Sequence, residues 1–440
     1  MKEEFLHFLW KYSLYDKQSL FNNEGAHVTV IHPGEYNRDA GPDFFNARIS
    51  VSGTIWAGNI EIHIKSSHFD LHGHQFDHSY DNLILHIVAE NDKKVYSAKG
   101  EELPTAVLRF DKSLIEAYNS LINNPYIIAC QDDIMKIDKI QQRNWIESLV
   151  IERLEKKSVA ILKILSETNN NWEETFYRLL SRYFGFRVNT EPFERLARAL
   201  PLNIIKKHAD NRLQVESLLY GTAGFLEDGL FKDALVDNYY RDLLREYKML
   251  SVKYSLNPLH GWIWKFAKLR PANFPTIRIS QLAGLLVNTD GLFSRVLEAG
   301  NINELIMLFK PEASEYWNNH YVFGSLSAGK PKKAGVQAAD IILINSIIPA
   351  LYTYGKTRDM VLYTERAVNF LENIKPENNS IIIDWIKIGI KPDSALSSQA
   401  LLQLRDSYCR KRRCLDCRIG FKLISLGKKM KEQDTLILEP

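Results

Sequence analysis

The sequence predicts an α+β fold: a mixed β-sheet domain in roughly the first hundred residues, then a large all-α domain. Three observations lead there. From about residue 27 to 110, short runs rich in β-branched and aromatic residues alternate with Gly, Pro, Asn and Asp. After about residue 112 the apolar residues recur at helical spacing almost throughout. The chain has 440 residues, 45% apolar and 25% charged, which is too long for one ordinary core but normal for a folded protein. The expected division is 1–112 for the sheet and 113–440 for the helices, the second part ending in a basic, cysteine-containing segment.

Residues 3–15 carry Phe5, Leu6, Leu9 and Trp10 on one side and predict a short opening helix. Strands are expected at His27–Ile31, Phe44–Val51, Thr54–Trp56, Asn59–Lys65, Asn82–Ala89 and Ala106–Phe110, with a hairpin turn at Ser52-Gly53. Helices are expected at Lys139–Ser166, Trp172–Phe184, Glu191–Leu200, Leu213–Leu226, Asp237–Lys253, Ile279–Leu286, Ala338–Tyr354 and Ser394–Leu426. The segment Leu269–Ser280, LRPANFPTIRIS, holds two prolines and two arginines and reads as a rigid connector. No fixed period recurs, which argues against a regular solenoid.

Bulk properties narrow the function classes. We read no apolar run approaching the roughly 20 residues that span a bilayer, so no membrane association is expected. The start, MKEEFLHFLWKYSLYDK, brings in acids at once and does not read as a secretory signal. Four cysteines do not make a disulfide scaffold, and a reducing cytoplasm is the expected location. The net charge of +3 is unevenly spread: Arg405–Pro440 holds ten Lys and Arg against five Asp and Glu. Such a tail is either a solvated surface or a phosphate-binding patch.

The chemistry-bearing residues concentrate between Asp43 and His86. In GNIEIHIKSS, residues 58–67, alternation sends Ile60, Ile62 and Ile64 to one face and Glu61, His63 and Lys65 to the other. Upstream, Gly41-Pro42 makes a sharp entry to Asp43 at the head of the preceding strand. Two carboxylates on adjacent strands can share a hard divalent cation such as Mg or Mn, and a cation so held can bind a phosphate oxygen and acidify water. Six of the twelve histidines fall between His63 and His86, among them His72 and His74, with Asp77 close by, a set suited to Zn, Mn or Fe. The string H-G-H-Q-F-D-H is similar to the H-x-H-x-D-H signature of metallo-β-lactamase-type hydrolases, with one residue too many before the aspartate. The alternative is a hydrogen-bonded turn closing over the sheet, with His86 a satisfied core group in LILHIVA.

Cys409, Cys414 and Cys417 have the spacing C-x4-C-x2-C, which suits zinc or an iron–sulfur cluster if the fold brings in Cys130 as a fourth ligand. Ordinary reduced thiols are the alternative. Arg410-Lys411-Arg412-Arg413 lies between the first two cysteines and would make a phosphate contact.

Pro42-Asp43, then Glu61 on the next long strand, after a helix with Glu3 and Glu4, resembles the PD-(D/E)xK nuclease superfamily over about a quarter of the chain. The resemblance implies a nuclease-like fold in which Asp43 and Glu61 bind metal. It departs at the position two residues after the acid, where His63 replaces the expected lysine and Lys65 comes two residues later still. His63 would then orient the attacking water and Lys65 hold a substrate phosphate. Over nearly the full length, GPDFFNARI, GNIEIHIKSSHF, HGHQFDHSYDN, RPANFPTIRISQLAGLL and CRKRRCLDCRIG resemble the bacterial domain-of-unknown-function family 2851, which implies no activity. Three functions are therefore expected as rivals: a divalent-metal nuclease or phosphodiesterase on DNA or RNA; a non-catalytic nucleic-acid or protein-binding scaffold with a degenerate nuclease fold; and a Zn or Fe hydrolase using the His72–His78 run.

Overall fold

The computed structural model describes residues 1–436 except 228, 233, 289 and 290; side chains at 288 and from 428 onward also lie outside the description. The part of the basic tail beyond Gly427 therefore has no side-chain account. The chain divides into two compact units, Met1–Trp145 with Leu404–Pro440, and Ile146–Gln403. The helix Lys112–Asn123 and the C-terminal segment, assigned from sequence to the helical region, thus pack with the sheet. The reason is visible in the core, where Leu114, Tyr118, Leu121 and Ile424 are buried together with Ile60, Ile62, Leu85 and Ile87.

The first unit opens with α1 (Glu3–Lys11). It is shorter than the apolar pattern suggested, and it buries Phe5, Leu6, Phe8, Leu9 and Trp10. A nine-residue helix is not stable by itself in water; burying these five side chains, at about 1.5–3 kcal/mol each for the aliphatic and aromatic ones, holds it on the sheet. The strands are β1 (Val28–His32), β2 (Glu35–Tyr36), β3 (Phe44–Val51), β4 (Thr54–Lys65), β5 (Leu83–Glu90) and β6 (Thr105–Val107). They form one sheet in the order β1-β3-β4-β5-β6, with β2 also paired to β3. The β3–β4 pair is antiparallel, and β4–β5 and β5–β6 are parallel, so the sheet is mixed as expected.

Two local features set the geometry of β4. Ser52 and Gly53 both have positive φ, 50° and 83°, the conformation that matches a two-residue hairpin to strand twist. The two short strands read on either side of Gly58 are one strand of 12 residues. Gly58 allows this, because a Cβ there would sit 2.5 Å from Ile84 Cγ2 of β5 and 2.6 Å from the Asn82 carbonyl just before it. After β4 the histidine-rich segment folds as a short helix, α2 (His68–Leu71), and two tight 3-10 turns, His74–Phe76 and His78–Tyr80. Phe69, Tyr80, Leu83, Val95 and Leu103 form a second, smaller apolar cluster beneath it.

The second unit is helical apart from a short antiparallel pair, His320–Val322 with Ser325–Leu326. Two of its buried charged groups are well paired: the Glu216 carboxylate accepts the Tyr239 and Ser280 hydroxyls at 2.5 Å each, and Lys157 Nζ donates to Ile344 O, Asn345 Oδ1 and Gln399 Oε1 at 3.0–3.1 Å. Three sequence expectations are corrected. The connector Leu269–Ser280 is helical from Pro275 onward, Pro275 opening the helix Pro275–Asn288 where a missing N–H costs nothing. The single helix expected at Ser394–Leu426 is broken between Cys409 and Arg418, where Arg412 takes a left-handed φ of 54°. Val336–Thr357 is a 22-residue helical stretch apolar and long enough to cross a membrane, contrary to our reading of no such run. Asp340, Asn345, Ser346 and Thr353 interrupt its apolar text, and 67% of its most apolar window is buried inside the protein, as in a core helix.

Candidate functional site

The strand alternation read in GNIEIHIKSS places Ile60 and Ile62 in the main core and Glu61 and His63 on the opposite face. That opposite face is not solvated: Glu61 is 4% and His63 1% exposed. Two ionisable groups buried side by side need partners.

Asp43 and Glu61 lock the ends of β3 and β4 reciprocally. The Asp43 backbone N–H donates to Glu61 Oε2 at 3.1 Å, and the Ile62 N–H donates to Asp43 Oδ2 at 2.9 Å. The same Asp43 oxygen lies 3.2 Å from His7 Nε2. The other Glu61 oxygen, Oε1, faces nitrogen: it is 3.5 Å from His63 Nε2 and 3.4 Å from His74 Nε2. His63 Nε2 is in turn 3.1 Å from His72 Nδ1 and 3.9 Å from Glu3 Oε1. Parallel pairing sets Glu61 beside His86, and His63 Nδ1 reaches His86 Nε2 at 2.9 Å.

The donor atoms of His63, His72 and His74 all lie within 4.8 Å of one another, a set able to hold a metal ion. The contacts with Glu61 sharpen this. Ligands around a tetrahedral cation at about 2.0–2.1 Å stand about 3.3–3.4 Å apart; His63 and His72 are 3.1 Å apart, and Glu61 Oε1 borders the set at 3.4 Å from His74 and 3.5 Å from His63. Three imidazoles and one carboxylate suit Zn, Mn or Fe better than Mg, which prefers an all-oxygen shell. A proton on His63 Nδ1, donated to His86, leaves the Nε2 lone pair facing Glu61; this outer hydrogen bond is the usual means of fixing a ligand tautomer.

The electrostatics point the same way. Burial, and then the neighbouring His86, His74 and His72, push His63 down to about 2, and burial holds His86 down to about 3. Both rings are therefore neutral at ordinary pH. Burial and the charge of Asp43 push Glu61 up to about 9, and burial also raises Glu3. Three crowded carboxylates with neutral imidazoles between them form a region that a cation would stabilise. Glu3 Oε1 is buried without a hydrogen-bond partner. His7 behaves differently: its bond to Asp43, with the charges of Asp43 and Glu3, outweighs burial and raises its pKa.

The other expected residues lie elsewhere. Lys65 pairs with Glu90 at 3.2 Å at the sheet rim and makes no contact with this cluster. Asp77 is exposed, and its carboxylate accepts the Ser79 N–H at 2.8 Å, capping a turn. Exposed His78 pairs with Asp81 at 3.1 Å. Our sequence reading did not single out His7, although Glu3 and His7 stand one helical turn apart on α1, the spacing that puts both on one face.

His7 also lines a cleft of about 640 Å³. His7, Lys2, Lys11, Arg38, Lys411, Arg412 and Arg413 line it, with Tyr12 and Tyr36 and only Glu4 and Asp416 as acids. Arg413 is paired with Asp416 at 2.9 Å. Arg412 Nη2 donates to the Asn124 carbonyl at 2.6 Å, while its Nη1 is buried without a partner. Arg410 stands apart, 3.9 Å from Asp406. Cys130, Cys409, Cys414 and Cys417 come within electrostatic range of one another in the same unit, the last three on the loop whose residues 411–413, 415 and 416 line this cleft.

Fold and site together define an α+β protein carrying a metal-capable histidine–carboxylate centre on a mixed sheet. The chain belongs to the family described as protein of unknown function (DUF2851), which matches residues 3–380. No curated protein and no solved structure matches it.

Proposed function

We propose that the protein is a metal-dependent phosphodiesterase acting on nucleic acid, with Glu61, His63, His74 and His72 as the cation's ligands. One observation carries this reading: the metal-capable cluster and the basic cleft meet at His7, which touches Asp43 on one side and lines the cleft on the other. A transition-metal ion held there would polarise a phosphoryl oxygen and acidify water. His7, whose pKa is raised against burial by Asp43 and Glu3, would donate to the leaving oxygen. Lys11, Arg38, Lys411 and Arg412 would hold flanking phosphates, and Tyr12 and Tyr36 offer faces on which bases stack. The order of helix, Asp43 strand and Glu61 strand supports a nuclease-like reading. In place of the superfamily lysine it uses His63 as a ligand, and Lys65 has no part in it.

The test is cleavage of labelled single- and double-stranded DNA and RNA by the full chain with Mn, Zn, Fe or Mg added in turn. Cleavage with a transition metal, lost in Glu61→Gln and in His63→Ala, is expected. Equal cleavage by both variants sinks the assignment. Tight metal and nucleic-acid binding with no cleavage of any substrate favours the binding scaffold instead.

A further inference from the structure

The four cysteines of this chain are its whole complement, and they meet at one place. Cys130 lies in the loop after the helix Lys112–Asn123. Cys409, Cys414 and Cys417 lie in the break before the helix Arg418–Leu436. None forms a disulfide. Cys409 stands within electrostatic range of Cys130, Cys417 and Cys414, and Cys130 within range of Cys417 and Cys414. Two segments nearly 300 residues apart in sequence have thus brought every thiol of the protein together.

The surrounding loop is tightly built. The Cys417 N–H donates to the Cys414 carbonyl at 3.3 Å, and the Arg412 N–H to that of Cys409 at 3.1 Å. A Cβ at position 420 would fall 2.1 Å from the Cys414 carbonyl, so only glycine lets the next helix start against this loop. Cys130 and Cys414 also pack at the edge of the main core.

Spacing argues against a single zinc ion. Zinc with four thiolates at about 2.3 Å would hold the sulfurs about 3.8 Å apart. Among the described residues, the donors that gather within 4.8 Å of one another are those of His63, His72 and His74, and no three of the sulfurs do so. A polynuclear cluster takes one thiolate on each iron, outside the inorganic core, and so sets the sulfurs further apart. Arg412, close to Cys409 and Cys414, offsets the negative charge of such a group.

We propose that Cys130, Cys409, Cys414 and Cys417 ligate a [4Fe–4S] cluster that ties the C-terminal helix to the loop after Lys112–Asn123. The test is iron and acid-labile sulfide analysis of the full-length chain, purified without oxygen and again after reconstitution with iron and sulfide. The expected result is about four irons and about four sulfides per chain, with broad visible absorption that bleaches on reduction. Cys130→Ala and Cys414→Ala should each lose the iron. The double variant Glu61→Gln, His63→Ala should retain it, which separates this site from the histidine cluster. One zinc per chain without sulfide after reconstitution, no metal at all, or iron retained by both cysteine variants would overturn the proposal. The wild-type analysis decides the matter even if a cysteine variant fails to fold.

Discussion

The histidine–carboxylate cluster and the cysteine group occupy the same unit but are assembled in different ways. The first takes its inner donors from one short stretch, Glu61 to His74, because β4 carries two of them and the following turns fold straight back over the strand. The second joins Cys130 to residues 409–417, which only the packing of the C-terminal segment on the first unit makes neighbours. The first mixes nitrogen and oxygen donors and adjoins a basic cleft through His7. The second offers only sulfur and packs against the core, on a loop whose residues 411–413, 415 and 416 line the same cleft. A short-range cluster beside a cleft suits chemistry on a substrate. A long-range cluster that joins two segments suits the work of a clasp.

That contrast can be broken most directly at its centre. Glu61→Gln should lower metal-dependent cleavage by about 10³-fold, roughly 4 kcal/mol of transition-state stabilisation, with iron content and melting behaviour little changed. A matching loss of iron would show that the two centres are not separate. Cys130→Ala should do the reverse. Removing a cross-link typically costs about 2–4 kcal/mol if it behaves like a disulfide, to be read as a lower denaturant midpoint with transition-metal binding retained. An unchanged midpoint would deny the clasp.

Smaller effects sharpen the picture. His86→Phe removes the partner of His63 Nδ1 and should weaken cation affinity by about 10–100-fold in calorimetry, with cleavage recovered at saturating metal. The metal-induced rise in melting temperature should also grow with pH. Glu61 in the metal-free fold is held at about 9 against an ordinary 4.5. A raised folded pKa contributes stability that is fully present below about 4.5 and is lost as pH rises through about 9. The cation replaces the proton over that window, so the gap between metal-loaded and metal-free protein should be wider at pH 8 than at about pH 6. A gap that narrows would remove Glu61 from the ligand set. Smallest of all, Lys411→Gln with Arg412→Gln should weaken nucleic-acid binding across sequences and reduce the salt slope by about 0.7–0.9 for each lost phosphate contact. An unchanged slope would empty the cleft of its role.

Much of this was legible in the sequence, and the parts that were not have a common cause. Period alone determined that strands come first and helices after. Alternation alone determined that Glu61 and His63 share a face opposite Ile60 and Ile62, because side-chain direction in a strand is a local property. The turn residues Ser52-Gly53 likewise declared their hairpin. Tertiary structure decided the rest. It brought His7 from α1 to Asp43 and set His86 behind His63 through parallel pairing. It chose His74 over Asp77 as a neighbour of Glu61, brought His72 to His63, left Lys65 with Glu90 at the rim, and carried Cys130 to the other three cysteines. Convergence of donors depends on strand register, on the return path of a loop and on the packing of distant helices. No pattern along the chain encodes these by itself, because each is settled by burial summed over the whole unit.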